Sequence, residues 1–475
     1  MNFLDLNVDV KRLILDHLSQ PDLLRICLTH PQLHQLARPV LYSSVELPSG
    51  FGPNASHPIT SLLRTILSQP EVARHIRRLS FISNHTHTTN GVWTRNVEKA
   101  PKFPVSPSDL EAAAQFVKEC EVPYRDSWID ALQTATMDAY LAVLLVNLPS
   151  VDYLRIEPTL LIETEFVGRV LKSSLCDMPP SLVLPAGHPA SLQVLRHLSL
   201  YRSDYSPIPN TPNILPVFYL PSVKKMTIHV DDPADEFRWP TSTSPQAFGL
   251  ESLEVEGLHE AHLRNLLSAT PSLRSLTWTR EYSVESVYSA GPLVPGPIIS
   301  LHTLRTSLAV VKDTLTKLEI RARDHSVGDR LTDRNRSTNL SFSGPLRSLC
   351  LAEFEHLKVL EVPSEFIMGF PASSALEDNL PPNIEDLTIS MEASWSFWHE
   401  WDFDSLSESP YIQGILKWLP GAKHHTPNIR KFSYLDHSSG YLGYDETDDQ
   451  DHLAAKQQIQ EVASSAGIEY TRHVC

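Results

Sequence analysis

One spacing returns along most of this chain and constrains its fold more than any other feature. An apolar residue is followed by two variable residues, a second apolar residue, one variable residue and a third apolar residue. It occurs as Ile76/Leu79/Phe81, Val151/Leu154/Ile156, Leu195/Leu198/Leu200, Val223/Met226/Ile228 and Leu250/Leu253/Val255. It continues as Leu273/Leu276/Trp278, Leu315/Leu318/Ile320, Leu357/Leu360/Val362, Ile384/Leu387/Ile389 and Ile429/Phe432/Tyr434. Side chains alternate along an extended strand, so the last two apolar positions of each copy share one face. Five copies are introduced by Pro-Ser or Pro-Asn, at Pro149, Pro221, Pro271, Pro382 and Pro427. Proline cannot continue a helix, so each of these copies starts a strand after a break. Helical stretches lie between copies, at His259 to Ser268, Leu301 to Asp313 and Asp126 to Leu148. A strand with a returning helix cannot bury its apolar face alone, so the pattern predicts stacked repeats in an α/β fold.

The first 42 residues read differently. Val10, Leu13, Ile14, His17 and Leu18 fall at helical spacing, with Asn7 able to cap the helix and Asp9 in its first turn. Ser19 and Asp22 have capping-box spacing for a second helix, and Thr29 and Gln32 repeat the signal for a third, with Pro39 just past its end. Three helices in so few residues bury little core of their own. Their surplus apolar residues (Leu6, Val10, Ile14, Leu23, Leu24, Leu33, Leu36) predict a surface that needs a cover.

On these residues the N-terminal segment resembles the F-box, whose pattern runs Leu-Pro-x-Glu-(Leu/Ile), a later Ile and Leu, then Asp-Leu. Leu6, Val10, Ile14, Leu18 and Asp22-Leu23 match; Asn7 stands where the family has Pro, and Asp9 where it has Glu. The repeats resemble leucine-rich repeats in spacing. Their intervals run from 23 residues (Leu250 to Leu273) to 75 (Ile76 to Val151), against roughly 20–29 for regular families. Long insertions are therefore expected at 84–125, 201–220, 231–247, 280–299, 323–345 and 392–426. The combination, with Ala37 to Tyr42 closing the helical segment, is similar to F-box proteins of filamentous fungi that carry leucine-rich-repeat-like domains. The expected architecture is α/β: a three-helix F-box at 1–45, then an irregular leucine-rich-repeat-like solenoid at 46–475 that binds a target.

The resemblance implies a substrate-recruiting subunit of a Skp-cullin-F-box ubiquitin ligase. It would dock a Skp-type adaptor, and through it a cullin, by Leu6, Asn7, Val10, Ile14, Leu18 and Leu23. Target contact would come from strand positions alternating with the buried ones: Tyr153, Arg155, His197, Tyr201, Lys225, His229, Glu254, Lys317 and Arg321. A binding scaffold unconnected to ubiquitin transfer stays open as the alternative.

Composition narrows the remaining classes. A net charge of -16 with no basic cluster argues against a nucleic-acid partner. Five scattered cysteines without a CxxC pair read as reduced thiols, which predicts a cytoplasmic or nuclear protein. The longest apolar run, Tyr140 to Val146, is too short to span a bilayer, so no membrane contact is expected. No catalytic motif is present, and neither a metal nor a cofactor is expected. His259-Glu-Ala-His262 misses zinc-protease spacing by one residue and lacks a third ligand. The aromatic segment Trp395 to Phe403 reads as packing or as a partner anchor, and the acidic run Asp445 to Asp451 as a solvated loop before a last helix at His452 to Ser464.

Overall fold

The computed structural model describes residues 3–48, 57–82, 104–156, 165–177, 180–185, 192–200, 210–233, 236–282, 299–324, 348–369, 372, 374–391, 409–435 and 446–471. The chain divides into two compact units, Met1–Leu250 and Glu251–Cys475.

Three helices open the first unit: α1 (Val8–Asp16), α2 (Gln20–Cys27) and α3 (Pro31–Leu41). Asn7 caps α1 by accepting a hydrogen bond from the Asp9 amide at 2.9 Å, and Ser19 caps α2 through the Asp22 amide at 3.4 Å. For α3 the cap is His30, whose Nδ1 accepts from the Gln32 amide at 3.2 Å, while the Thr29 hydroxyl turns back to the Ile26 carbonyl. Pro39 lies inside α3 rather than past its end.

Two residues later the first strand begins. The strands of this unit are β1 (Ser44–Pro48), β2 (Arg78–Ile82), β3 (Tyr153–Ile156), β4 (His197–Leu200) and β5 (Lys225–His229). The second unit holds β6 (Ser252–Glu256), β7 (Ser275–Tyr282), β8 (Lys317–Asp324), β9 (Val359–Pro363), β10 (Asp386–Ser390), β11 (Lys431–Leu435) and β12 (Glu469–Tyr470). Within each unit the strands follow one another in sequence order, and neighbours pair in parallel. Each of the ten spacing copies leads into one strand, β2 to β11, its first apolar residue two positions before the strand and the other two on it. None of the three is more exposed than Val223, at 4%.

One hydrogen-bond device sets the register. The residue before a strand and the strand's first residue both donate their amides to a single carbonyl of the preceding layer. Arg77 and Arg78 share Ser43; Asp152 and Tyr153 share Arg77; Arg196 and His197 share Asp152; Lys224 and Lys225 share Arg196. The second unit repeats it, with Thr316 and Lys317 on Arg274, and Glu385 and Asp386 on Lys358. Parallel ladders slip easily unless their start is pinned, and a slip of one residue would turn every apolar side chain outward. Pinned in this way, Leu79, Leu154, Leu198 and Met226 stand in one register row, and Leu253, Leu276, Leu318, Leu360, Leu387 and Phe432 in another.

Helices of unequal length cover the buried face, and buried carboxylates tie some of them together. Asp138, 1% exposed on the helix Met137–Val146, accepts from the amides of Phe166 and Val167 at the start of the helix Glu165–Leu175. Glu260, fully buried at the start of the helix Glu260–Leu267, accepts from the Ser300 amide at the cap of Leu301–Leu308. A carboxylate at a helix N-terminus meets both the orphan amides and the positive end of the dipole.

These observations correct the expected architecture. The α/β class holds, but the described residues form twelve all-parallel strands with helices rather than a three-helix F-box followed by a solenoid. The physical reason is that the apolar spacing reports how each strand is buried and is silent on how layers are grouped. The helical segment is also tied to the strands that follow: Arg38 of α3 pairs with Glu71 at 3.1 Å, and the Gln20 side chain donates to the Ser44 carbonyl. The reading of Asp126 to Leu148 as one helical stretch is also refined. It holds Arg125–Gln133 and Met137–Val146, separated at Ala135, whose φ of 56° ends the first. At the C-terminus the last helix spans Glu446–Ser465 and so begins within the acidic run.

The helix Pro58–Ser68, α4, depends on a buried histidine. His57 is fully buried and caps it, its Nδ1 accepting from the Ile59 amide at 2.9 Å. Burial pushes its pKa down from 6.5 to about 3, whereas the unfolded chain takes up the proton near the ordinary value of about 6.5. Because the folded value is the lower one, the stability tied to the neutral ring is complete above about pH 6.5 and drains away as pH falls towards 3. Between about pH 7.5 and pH 5 the parent protein is expected to lose about 2 kcal/mol more stability than His57→Asn, which keeps a capping acceptor without titrating. Urea denaturation of both proteins at the two pH values checks this.

Candidate binding surfaces

Two surfaces hold the residues that the sequence singles out. The first lies on α1 and α2. The core of the three helices is Leu15, Leu23, Cys27 and Ala37, with Leu18, Ile26, Leu36, Val40 and Leu41 packed around it. Lys11 also turns inward, its ammonium donating to the Leu4 carbonyl at 2.6 Å. The apolar stripe read from the sequence stays outside this core: Val10, Leu13 and Ile14 are exposed, together with Val8, Leu24 and Leu28, the last at 81%. A nine-residue helix with apolar residues at 8, 10, 13, 14 and 15 cannot bury them all, and Leu15 is the one taken inside. Of the expected adaptor-docking residues, Val10 and Ile14 are exposed, Leu6 and Leu18 half-buried, and Leu23 is core, while Asn7 is exposed and occupied as a cap.

The second is the face of the strands opposite the apolar rows, considered separately in each unit. In the first, the register aligns Arg78, Tyr153, His197 and Lys225 across β2 to β5, with Ser80, Arg155, Ser199 and Thr227 two residues on. His197 and Lys225 are exposed, and Tyr153 and Arg155 half-buried. The Arg78 guanidinium sits 4.4 Å from the centre of the Tyr153 ring, and the His197 ring lies 6.1 Å away from it. His229 departs from expectation. It is 7% exposed, because the segment after β5 folds over the strand's end: His229 Nε2 meets Asp231 at 3.2 Å, and the Asn210 amide donates to the His229 carbonyl. Tyr201 lies outside the described residues, as does the segment Trp395 to Phe403.

In the second unit the same face carries half-buried Glu254, Lys317 and Arg321. Its charges are largely paired within the face. Glu319 receives Lys317 at 2.6 Å and Arg321 at 3.1 Å, and Arg321 also reaches Glu361 at 3.0 Å. Burial alone would raise the Glu319 carboxyl, but the hydrogen bonds and charges of Lys317 and Arg321, with the Thr277 hydroxyl, outweigh it and hold the group below its ordinary range. Lys317 and Arg321 flank Glu319 on the same strand, while Thr277 and Glu361 reach in from the strands on either side.

Among the described residues no group of three or more His, Cys, Asp and Glu could hold a metal. His259 is spent as a helix cap, accepting from the Ala261 amide at 3.1 Å. Burial pushes the Cys120 thiol up to about 12 and the Cys176 thiol to about 11, which leaves both weak nucleophiles. No described helix is long and apolar enough to cross a membrane. Compared with known proteins, the chain matches no family model and no curated sequence.

The two faces of α1 separate folding from surface function. Leu13→Ser and Leu28→Ser are each expected to change unfolding free energy by less than about 1 kcal/mol, since both side chains already face water. Leu15→Ala is expected to cost about 2–5 kcal/mol. Denaturant melts of the three variants test the assignment of the two faces.

Proposed function

We propose that this chain is the substrate-recruiting subunit of a Skp-cullin-F-box ubiquitin ligase. The observation that supports the reading best is the apolar surface of α1 and α2, where Val8, Val10, Leu13, Ile14, Leu24 and Leu28 all face solvent on 21 consecutive residues. Six exposed large apolar side chains in so short a segment mark a contact for another protein. The match of Leu6, Val10, Ile14, Leu18 and Asp22-Leu23 to the F-box pattern names a Skp-type adaptor as that protein. In this reading the strand faces hold the target, and the chain contributes proximity and orientation while catalysis belongs to the partners. It also implies a cytoplasmic or nuclear setting.

Co-purification tests this directly. The parent chain is expected to retain a Skp-type adaptor and, through it, a cullin. Ile14→Asp, placing a charge in the apolar patch, is expected to lose at least about tenfold in retention while keeping the parent's melting behaviour. Failure of the parent chain to retain the adaptor, or retention unchanged in Ile14→Asp, would overturn the proposal. A chain that keeps the adaptor but alters the abundance of no protein when Ile14 is replaced would instead be a scaffold.

A further inference from the structure

The strand face of the first unit carries more cations than carboxylates. Three rows run across β2 to β5. The leading row is Arg77, Asp152, Arg196 and Lys224, chained through the shared carbonyls; next come Arg78, Tyr153, His197 and Lys225, and then the row of Arg155. Together they bring six cations against Asp152, and Arg77, Arg78, Arg196 and Lys225 form no ion pair with any described residue. The second unit differs: there Lys317 pairs with Glu319 on its own strand, Arg321 with Glu319 and with Glu361 of the next strand, and Lys358 with Glu385. Arg78 and Lys225, at the two ends of the middle row, thus stand exposed without an ion pair to any described residue, on a chain of net charge -16.

We infer that this face binds an acidic, extended peptide segment of a partner protein, with carboxylates four residues apart and an aromatic or large apolar residue between them. Adjacent strands lie about 4.8 Å apart, so Arg78 on β2 and Lys225 on β5 stand roughly 14 Å apart along the row. An extended peptide rises about 3.4 Å per residue, which brings carboxylates at positions one and five over those two cations. Its third residue then falls over Tyr153 and His197, whose rings lie between them. The Arg78 guanidinium at 4.4 Å holds the tyrosine ring as a platform rather than leaving it to swing. A nucleic-acid strand fits less well: the patch is short, and the chain's overall negative charge repels a long polyanion. This inference rests on the strand face being the target-holding surface, and is independent of adaptor docking.

The probe is a fluorescein-labelled dodecapeptide with Asp at two positions four apart and Phe midway, otherwise Ser and Thr, titrated into the full chain by fluorescence anisotropy. Saturable binding is expected, weakening several-fold between low and roughly 300 mM salt. Arg78→Gln and Lys225→Gln are each expected to weaken it several-fold, the double variant by about tenfold or more, and Tyr153→Ala comparably. Both cations are exposed, so their replacement leaves folding intact, which thermal melts confirm. Ile14→Asp is expected to bind the peptide as the parent does. That separates this inference from the adaptor reading, since either can fail alone. No binding, equal binding of a peptide with Lys in place of Asp, equal binding by the double variant, or tighter binding of single-stranded oligothymidine would overturn it.

Discussion

The structure depends on the point where each strand begins. Two consecutive amides, one from the lead residue and one from the strand's first residue, converge on one carbonyl of the layer before. Everything downstream inherits its position from that fork. It makes the apolar residues of successive strands stack without stagger, so that Leu, Ile, Met, Phe and Trp fill continuous rows instead of leaving steps. The proline before several copies suits this role: it ends the preceding helix and supplies no amide to compete for the carbonyl.

The same fork explains what the surfaces look like. The positions pinned at strand mouths are the ones with the least apolar cover, so they are where charge collects. In the first unit these mouths read Arg77, Asp152, Arg196 and Lys224; in the second, Glu251, Arg274, Thr316, Lys358, Glu385 and Arg430. The first row sets three cations against one carboxylate, while the second sets three against two and pairs Lys358 with Glu385 at 2.8 Å. Two faces with identical backbone construction thus differ in chemistry by substitution at a handful of equivalent sites.

Most strands were legible because burial imposes a strict spacing on apolar residues. The short β12, Glu469–Tyr470, carries too little pattern to be seen. The grouping of layers was not legible, because a spacing that repeats says nothing of where one assembly of layers ends. Helix caps were readable where the residue was Asn or Ser, and missed at His30, since an imidazole acceptor is not distinguished by sequence from a solvated histidine. On α1 the residue that enters the core, Leu15, was not singled out, because apolar residues crowd both sides of one short helix and only contacts with Leu23, Cys27 and Ala37 decide which is taken inside. His229 failed as a surface residue for a related reason. Alternation holds only while a strand stays uncovered, and Asn210 and Asp231 close over this one.

The buried carboxylates that bind one helix to the next bear on how such a chain can change over time. Asp138 serves amides of a helix in the following layer, as Glu260 serves the amide that begins another. A layer is therefore not a freely exchangeable brick: duplicating or excising one would strip a buried carboxylate of donors that only its own neighbour provides. Length can be added in the segments between strand and helix without touching these links. Divergence by insertion is open to this architecture, and divergence by shuffling layers is closed.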